Sequence, residues 1–264
     1  MQDNTKKTKS VKIDYNIGKP FGKSAFKLGI RVFLSMFALI FVFLIFGSLL
    51  VFKNRIVSIA VNSSFIILCF YFMFMNGMSS GESNAAHSEI VFKKMLIGEP
   101  VDAINKDKCF HKLKGVSAVL IGLSPFLVLT IIFAAITTKQ YYTLGSLPAW
   151  VNTYRYQTDL GLALDYYYQF DPITFFDILR VIVRASTMPF FSMFNDAGVN
   201  TIYLLEKLTP LLIMVVPSGF ALGYTFGEKS RIKINASIKA NQKRKNILNR
   251  KTQSKKAKEP KQLI

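Results

Sequence analysis

Residues 201–226 read TIYLLEKLTPLLIMVVPSGFALGYTF, and residues 227–264 continue GEKSRIKINASIKANQKRKNILNRKTQSKKAKEPKQLI. The first stretch carries no charge after Lys207; from residue 228 onward there are thirteen Lys and Arg against two Glu. About 20 consecutive apolar residues are enough to cross the roughly 30 Å hydrocarbon core of a bilayer as a helix. Lys and Arg beside such a span mark its cytoplasmic end. The junction near Phe226 therefore predicts a membrane helix that delivers a polycationic tail to the cytoplasm.

Three earlier stretches have the same character. Residues 32–52, 56–78 and 116–138 lack charges except for polar neutral side chains and Pro125. Helices of this length rise about 1.5 Å per residue and span the bilayer. The fold class expected is an all-α integral membrane protein with about four transmembrane helices. Hydrophobic residues make up 51% of the chain, gathered into these runs, and the net charge of +19 lies mostly at the two ends. The charge thus describes flanking segments and not a basic globular surface.

Counting bases orients the spans. Residues 1–31 hold eight Lys and Arg, which keeps this segment inside. Its long polar lead, and the lack of a small-residue cleavage pattern after the first span, predict an uncleaved anchor. The first two spans form a hairpin whose short outer turn is Lys53-Asn54-Arg55. Residues 79–115 return inside with six lysines. Residues 139–200 belong outside: up to Asp177 they hold two bases against four Asp. The size and economy of the chain suit a bacterial plasma membrane, with both termini cytoplasmic.

A fifth apolar segment, 178–194, is read as not crossing, because a crossing there would put the basic tail outside. Asp177, Arg180 and Arg184 recur on one helical face. Two arginines at mid-span are costly in lipid. The expectation is an amphipathic or re-entrant helix at the outer interface, ending near Pro189, with Asp177, Arg180 and Arg184 as its charged face. Before it, residues 141–176 are rich in Tyr, Phe and the single Trp150, as in an interfacial aromatic belt. On the inner side, residues 85–97 read as a separate short helix ended by Gly98-Glu99-Pro100.

Within the spans, Asn62, Ser63 and Ser64 are expected either to bond to neighbouring helices or to line a polar path. Gly77 and Gly81, with Gly219, Gly223 and Gly227, form small-xxx-small stripes that let backbones approach closely. They predict packing between the inner ends of the second and last spans, within one chain or across a dimer. Pro210 and Pro217 predict kinks in the last span.

The tail, 227–264, is expected to be disordered or transiently helical. Lys229, Arg231, Lys233, Lys243, Arg244, Lys245, Arg250 and Lys251 are its candidate contacts with the anionic inner leaflet or with a polyanionic partner. No aromatic residue follows Phe226, so specific nucleic-acid recognition is not expected.

No cofactor or metal is expected, and no catalytic constellation is visible. Ile17 to Ser24 imitates a phosphate loop, but only three residues separate Gly18 from Gly22 where the motif needs four. His87 and His111 do not form a zinc-binding helix motif, and Cys69 and Cys109 imply no disulfide framework. The function expected is a non-enzymatic interaction or assembly factor, with a membrane-protein partner or a second copy of the chain as possible company. The alternative is a small permease or the membrane subunit of a transporter.

Overall fold

The computed structural model describes residues 13–50, 52, 54–139, 151–162, 164, 174–194 and 198–256. The expected segments 1–12 and 257–264, and Tyr141, Tyr142, Trp150, Tyr166, Tyr167, Tyr168 and Phe170 of the aromatic stretch, lie outside these residues. The described residues form helices and contain no strand.

Among the described residues the α-helices are, in order, α1 (Lys23–Leu49), α2 (Arg55–Leu96), α3 (Ala103–Lys108), α4 (Lys114–Ile136), α5 (Phe175–Ser186), α6 (Met188–Ser192) and α7 (Val199–Lys256), and residues 158–162 and 164 are helical as well. A 3₁₀ turn lies at Val151–Tyr156. Four of these helices, α1, α2, α4 and α7, are long and apolar enough to cross a membrane.

Each span has one buried stripe and a wide apolar surface around it. On α1 the stripe is Ala25, Val32, Met36, Leu39 and Phe43, spaced as successive turns of one helical face. Phe26, Ile30, Leu34, Phe37 and Phe41 are exposed on the other faces. A helix apolar on every side suits a hydrocarbon surround and not water.

The helices pack in the order α1, α4, α7, α2. Glycine sets the spacing at two seams. Gly122 of α4 faces the Gly29 carbonyl of α1, and a Cβ there would sit 2.6 Å from that oxygen. Along α2 and α7, which run in parallel, Gly77 faces Phe220, Gly81 faces Tyr224, Gly219 faces Phe70 and Gly223 faces Phe74, all at the backbone. Gly227 meets Gly81 and Glu82 in the same way. The α2–α7 seam is the most extensive in the molecule. The stripes therefore meet within one chain.

Two elements differ from the expectation in length. The span 56–78 and the helix 85–97 are one continuous helix, α2, of 42 residues. Asn54 caps its start, accepting a hydrogen bond from the Ile56 amide at 3.0 Å. Its end is a Schellman turn: Gly98 takes a φ of 80°, its N–H donates to the Met95 carbonyl, and the Glu99 N–H donates to the Lys94 carbonyl. Helix α7 has 58 residues and runs through Pro210 and Pro217 to Lys256, so residues 227–256, expected to be disordered or transiently helical, are helical here. At about 1.5 Å per residue these helices reach roughly 63 and 87 Å, far beyond one bilayer core. Both overshoot at the same end, here called the basic end.

Candidate functional site

Three polar assemblies interrupt the apolar bundle. At the end opposite the basic one, α5 and α6 close the bundle against α1, α2, α4 and α7. Helix α5 starts with a capping box: the Thr174 hydroxyl accepts from the Asp177 N–H, and the Asp177 carboxylate accepts from the Thr174 N–H. Its twelve residues extend about 18 Å, too short to cross.

Arg180 and Arg184, expected on a charged face at the outer interface, bond to Glu206 of α7, and Arg180 also bonds to Thr137 at the end of α4. Arg180 is fully buried (0% exposed) and Glu206 of α7 nearly so (2%). Arg180 Nε donates to Glu206 Oε1 at 3.1 Å. Arg184 donates to the same oxygen through Nε at 3.0 Å and Nη2 at 2.7 Å. Thr137 at the end of α4 donates to Glu206 Oε2 at 2.7 Å and accepts from Arg180 Nη2 at 3.2 Å. Asp177 lies 3.7 Å from Arg180. The Arg180 guanidinium also lies 4.9 Å from the Phe176 ring centroid and 5.8 Å from that of Phe133. The outward residues of α5 are Phe175, Ile178, Val181 and Ile182. Physically, two guanidinium groups that lipid would reject are turned inward because one carboxylate of another helix pairs with both, although Arg180 Nη1 has no hydrogen-bond partner. Glu206 stands beside Lys207 near the start of α7. The signal that pairs it with α5 is its being the one acid in 201–226.

Asn62, Ser63 and Ser64 do not line a common path. Asn62 is fully buried, and its Nδ2 donates to the carbonyls of Leu50 at 3.0 Å and Ser58 at 2.9 Å, tying α2 to the end of α1. Ser63 is half-buried, and exposed Ser64 returns its hydroxyl to the Ala60 carbonyl. Ser58 in turn donates to the Ser192 carbonyl of α6 at 2.8 Å.

The third assembly is at the basic end, where α2 and α7 emerge as a pair. Ser230 donates to Glu82 at 3.1 Å. Glu89 accepts from Arg231 at 3.2 Å and Asn235 at 3.0 Å. Burial alone would raise the Glu89 carboxyl, but hydrogen bonds from Asn235 and Arg231, with the charges of Arg231 and Lys93, hold it below its ordinary value. Tyr15 packs here with Ala85, Phe110 and Tyr224. The phosphate-loop look-alike has a packing role: the Gly18 N–H donates to the Phe110 carbonyl at 3.0 Å, and Gly18 abuts the Cys109 backbone.

Beyond Asn235, helix α7 leaves the bundle. Residues 236–249 are all exposed, including Lys239, Lys243, Arg244 and Lys245; Lys233 is exposed too, and Lys229 lies 4.9 Å from the Phe226 ring. Arg250 and Lys251 lie further along the same helix, their side chains outside the described set. Among the described residues no group of three or more His, Cys, Asp or Glu is placed to hold a metal. No protein-family model, curated protein or solved structure matches the chain, so its function is read from this geometry alone.

Proposed function

We propose that the protein is a non-catalytic interaction or assembly factor of the plasma membrane, in which the bundle anchors and aims a basic helix at a polyanionic surface on the cytoplasmic side. The observation that carries this reading is the clasp of Glu89 on Arg231 and Asn235, followed by residues 236–249, which are all exposed and carry Lys239, Lys243, Arg244 and Lys245. An isolated helix polar on all sides is marginal in water. A clasp that fixes its direction and a row of bases along it suit a partner that completes it. Near an anionic leaflet each base contributes about 1 kcal/mol of attraction.

The permease reading drew on Asn62, Ser63 and Ser64 as a polar lining. The amide of Asn62 is engaged with two backbone carbonyls, which supports an architectural role instead. Truncation after Lys239 keeps the clasp and removes the free bases. Copurification from native membranes, with and without this truncation and over a salt series, tests the proposal. It predicts a partner or leaflet association that weakens with salt and is lost on truncation. Association indifferent to both would overturn it.

A further inference from the structure

Helices α1 and α2 are joined by a short turn yet make little contact along their length. They touch chiefly near their two ends. Arg31 donates to Ser80 at 3.2 Å at the basic end, and Phe65 meets Phe43 and Phe46 with ring centroids 6.0 and 5.6 Å apart at the other. Between these contacts the bundle opens sideways.

At the basic end of this opening is a cavity of about 470 Å³ between α1, α2 and α3. Lys23, Lys27, Arg31 and Lys108 line it, with Asn84 and a single acid, Asp107. One Asp107 carboxylate oxygen accepts from the Ser24 N–H at 2.9 Å and its carbonyl accepts from the Ser24 hydroxyl; the other carboxylate oxygen is buried without a hydrogen-bond partner, so this one acid offsets part of the charge of the four bases. Lys23, Lys27 and Lys108 have no ion-pair partner among the described residues. Four cations around one cavity repel one another until an anion enters.

A second cavity, about 610 Å³, continues from the first and shares Lys27 and Arg31 with it. Apart from Ser35 its remaining wall is apolar: Ile30, Leu34, Ala38, Leu39 and Val42 of α1, and Phe72 of α2. Val42 lies eleven residues beyond Arg31 on the same helix. Eleven residues rise about 16 Å, close to half of the roughly 30 Å hydrocarbon core. A basic cavity that opens onto an apolar groove one leaflet deep matches a molecule with an anionic head and a single-leaflet tail.

We infer that this continuous cavity and groove bind one anionic phospholipid, its phosphate among Lys23, Lys27, Arg31 and Lys108 and one acyl chain along α1 between Leu34 and Val42. Basic pockets between membrane helices on the cytoplasmic side recognise such headgroups by charge. The site is separate from the tail. Its occupant fills the side of the bundle that the protein leaves open, and so braces α1 against α2.

The test uses the full chain in mild detergent, with native mass spectrometry of retained phosphatidylglycerol or phosphatidylcholine. The tail is intact in every sample, so its contribution cancels between variants. One tightly held phosphatidylglycerol per chain is expected, with phosphatidylcholine held far more weakly. Lys27→Gln with Arg31→Gln should lower the affinity by about tenfold or more, since each base near an anionic headgroup contributes appreciably. Ala38→Trp fills the groove and should lower it similarly while leaving the cations in place. Inorganic phosphate at tens of millimolar should not displace the lipid. Equal retention of the two lipids would overturn the inference. So would displacement by inorganic phosphate together with indifference to Ala38→Trp, which is the behaviour of a free-anion site. If the double variant fails to fold, Lys108→Gln and Ala38→Trp decide: unchanged phosphatidylglycerol affinity in both would equally overturn it.

Discussion

At the scale of single residues, Glu206 has the largest consequences. It accepts from Arg180 and Arg184 at one oxygen and from Thr137 at the other; Glu206, Arg180 and Thr137 are buried and Arg184 partly so. Removing it leaves two guanidinium groups without their counter-charge. Breaking one side of a buried ion pair costs about 3–5 kcal/mol. Glu206→Ala should therefore lower the thermal unfolding temperature in detergent substantially. Replacing the whole set, as Arg180→Leu, Arg184→Leu and Glu206→Leu, should recover much of that loss, because no buried charge is then unpaired. A triple variant as damaged as the single one would point to a role for the charges beyond fastening α5. The sequence shows Arg180 and Arg184 on one face of a helix, but a charge count treats arginine in lipid as a cost to be avoided. Its partner is 26 residues away on another helix, and no local periodicity marks that pairing.

At the scale of elements, the α2–α7 seam determines how the two longest helices leave the membrane region together. Gly223 is packed against the Phe74 carbonyl and the Met78 amide, so a side chain there meets backbone, which cannot rotate aside. Overpacking of this kind costs about 1–3 kcal/mol, with the upper end expected where backbone is the obstacle. Gly223→Ile should separate the seam, release the Glu89 clasp and increase protease cleavage near residue 231. Gly198→Ala, with nothing within 4 Å of its added carbon, should be neutral and serves as the control. Limited proteolysis with a thermal melt reads both. The four-residue spacing of these glycines is visible in the sequence, as are the four charge-free runs that become spans. The joining of 56–78 to 85–97 is not, because Ser79, Ser80, Glu82, Ser83 and Asn84 read as a polar break. In the structure this stretch faces α7 and α1: Glu82 accepts from Ser230, the Asn84 amide donates to Tyr224, and Ser80 accepts from Arg31. Likewise, nothing local distinguishes residues 227–256 as helix from disorder. Their first turns are helical because they continue α7 and pack on α2.

At the scale of the molecule, the account combines a four-helix membrane bundle, a far end sealed by an internal ion network, and a basic end where a cationic helix projects beside a cationic cavity. The proposal depends on which side of the membrane that end faces. Among the described residues the Lys and Arg of 13–31, 79–115 and 228–249 lie at that end, and the charge rule would assign it to the cytoplasm. Cys69 and Cys109 are both buried and give little background to a thiol probe. The most direct measurement is labelling of intact cells with a membrane-impermeant maleimide, comparing Tyr156→Cys, at a residue 93% exposed, with Asn241→Cys on the projecting helix. The account predicts that Tyr156→Cys is labelled in intact cells and that Asn241→Cys is labelled only after permeabilisation. Labelling of Asn241→Cys from outside would contradict it.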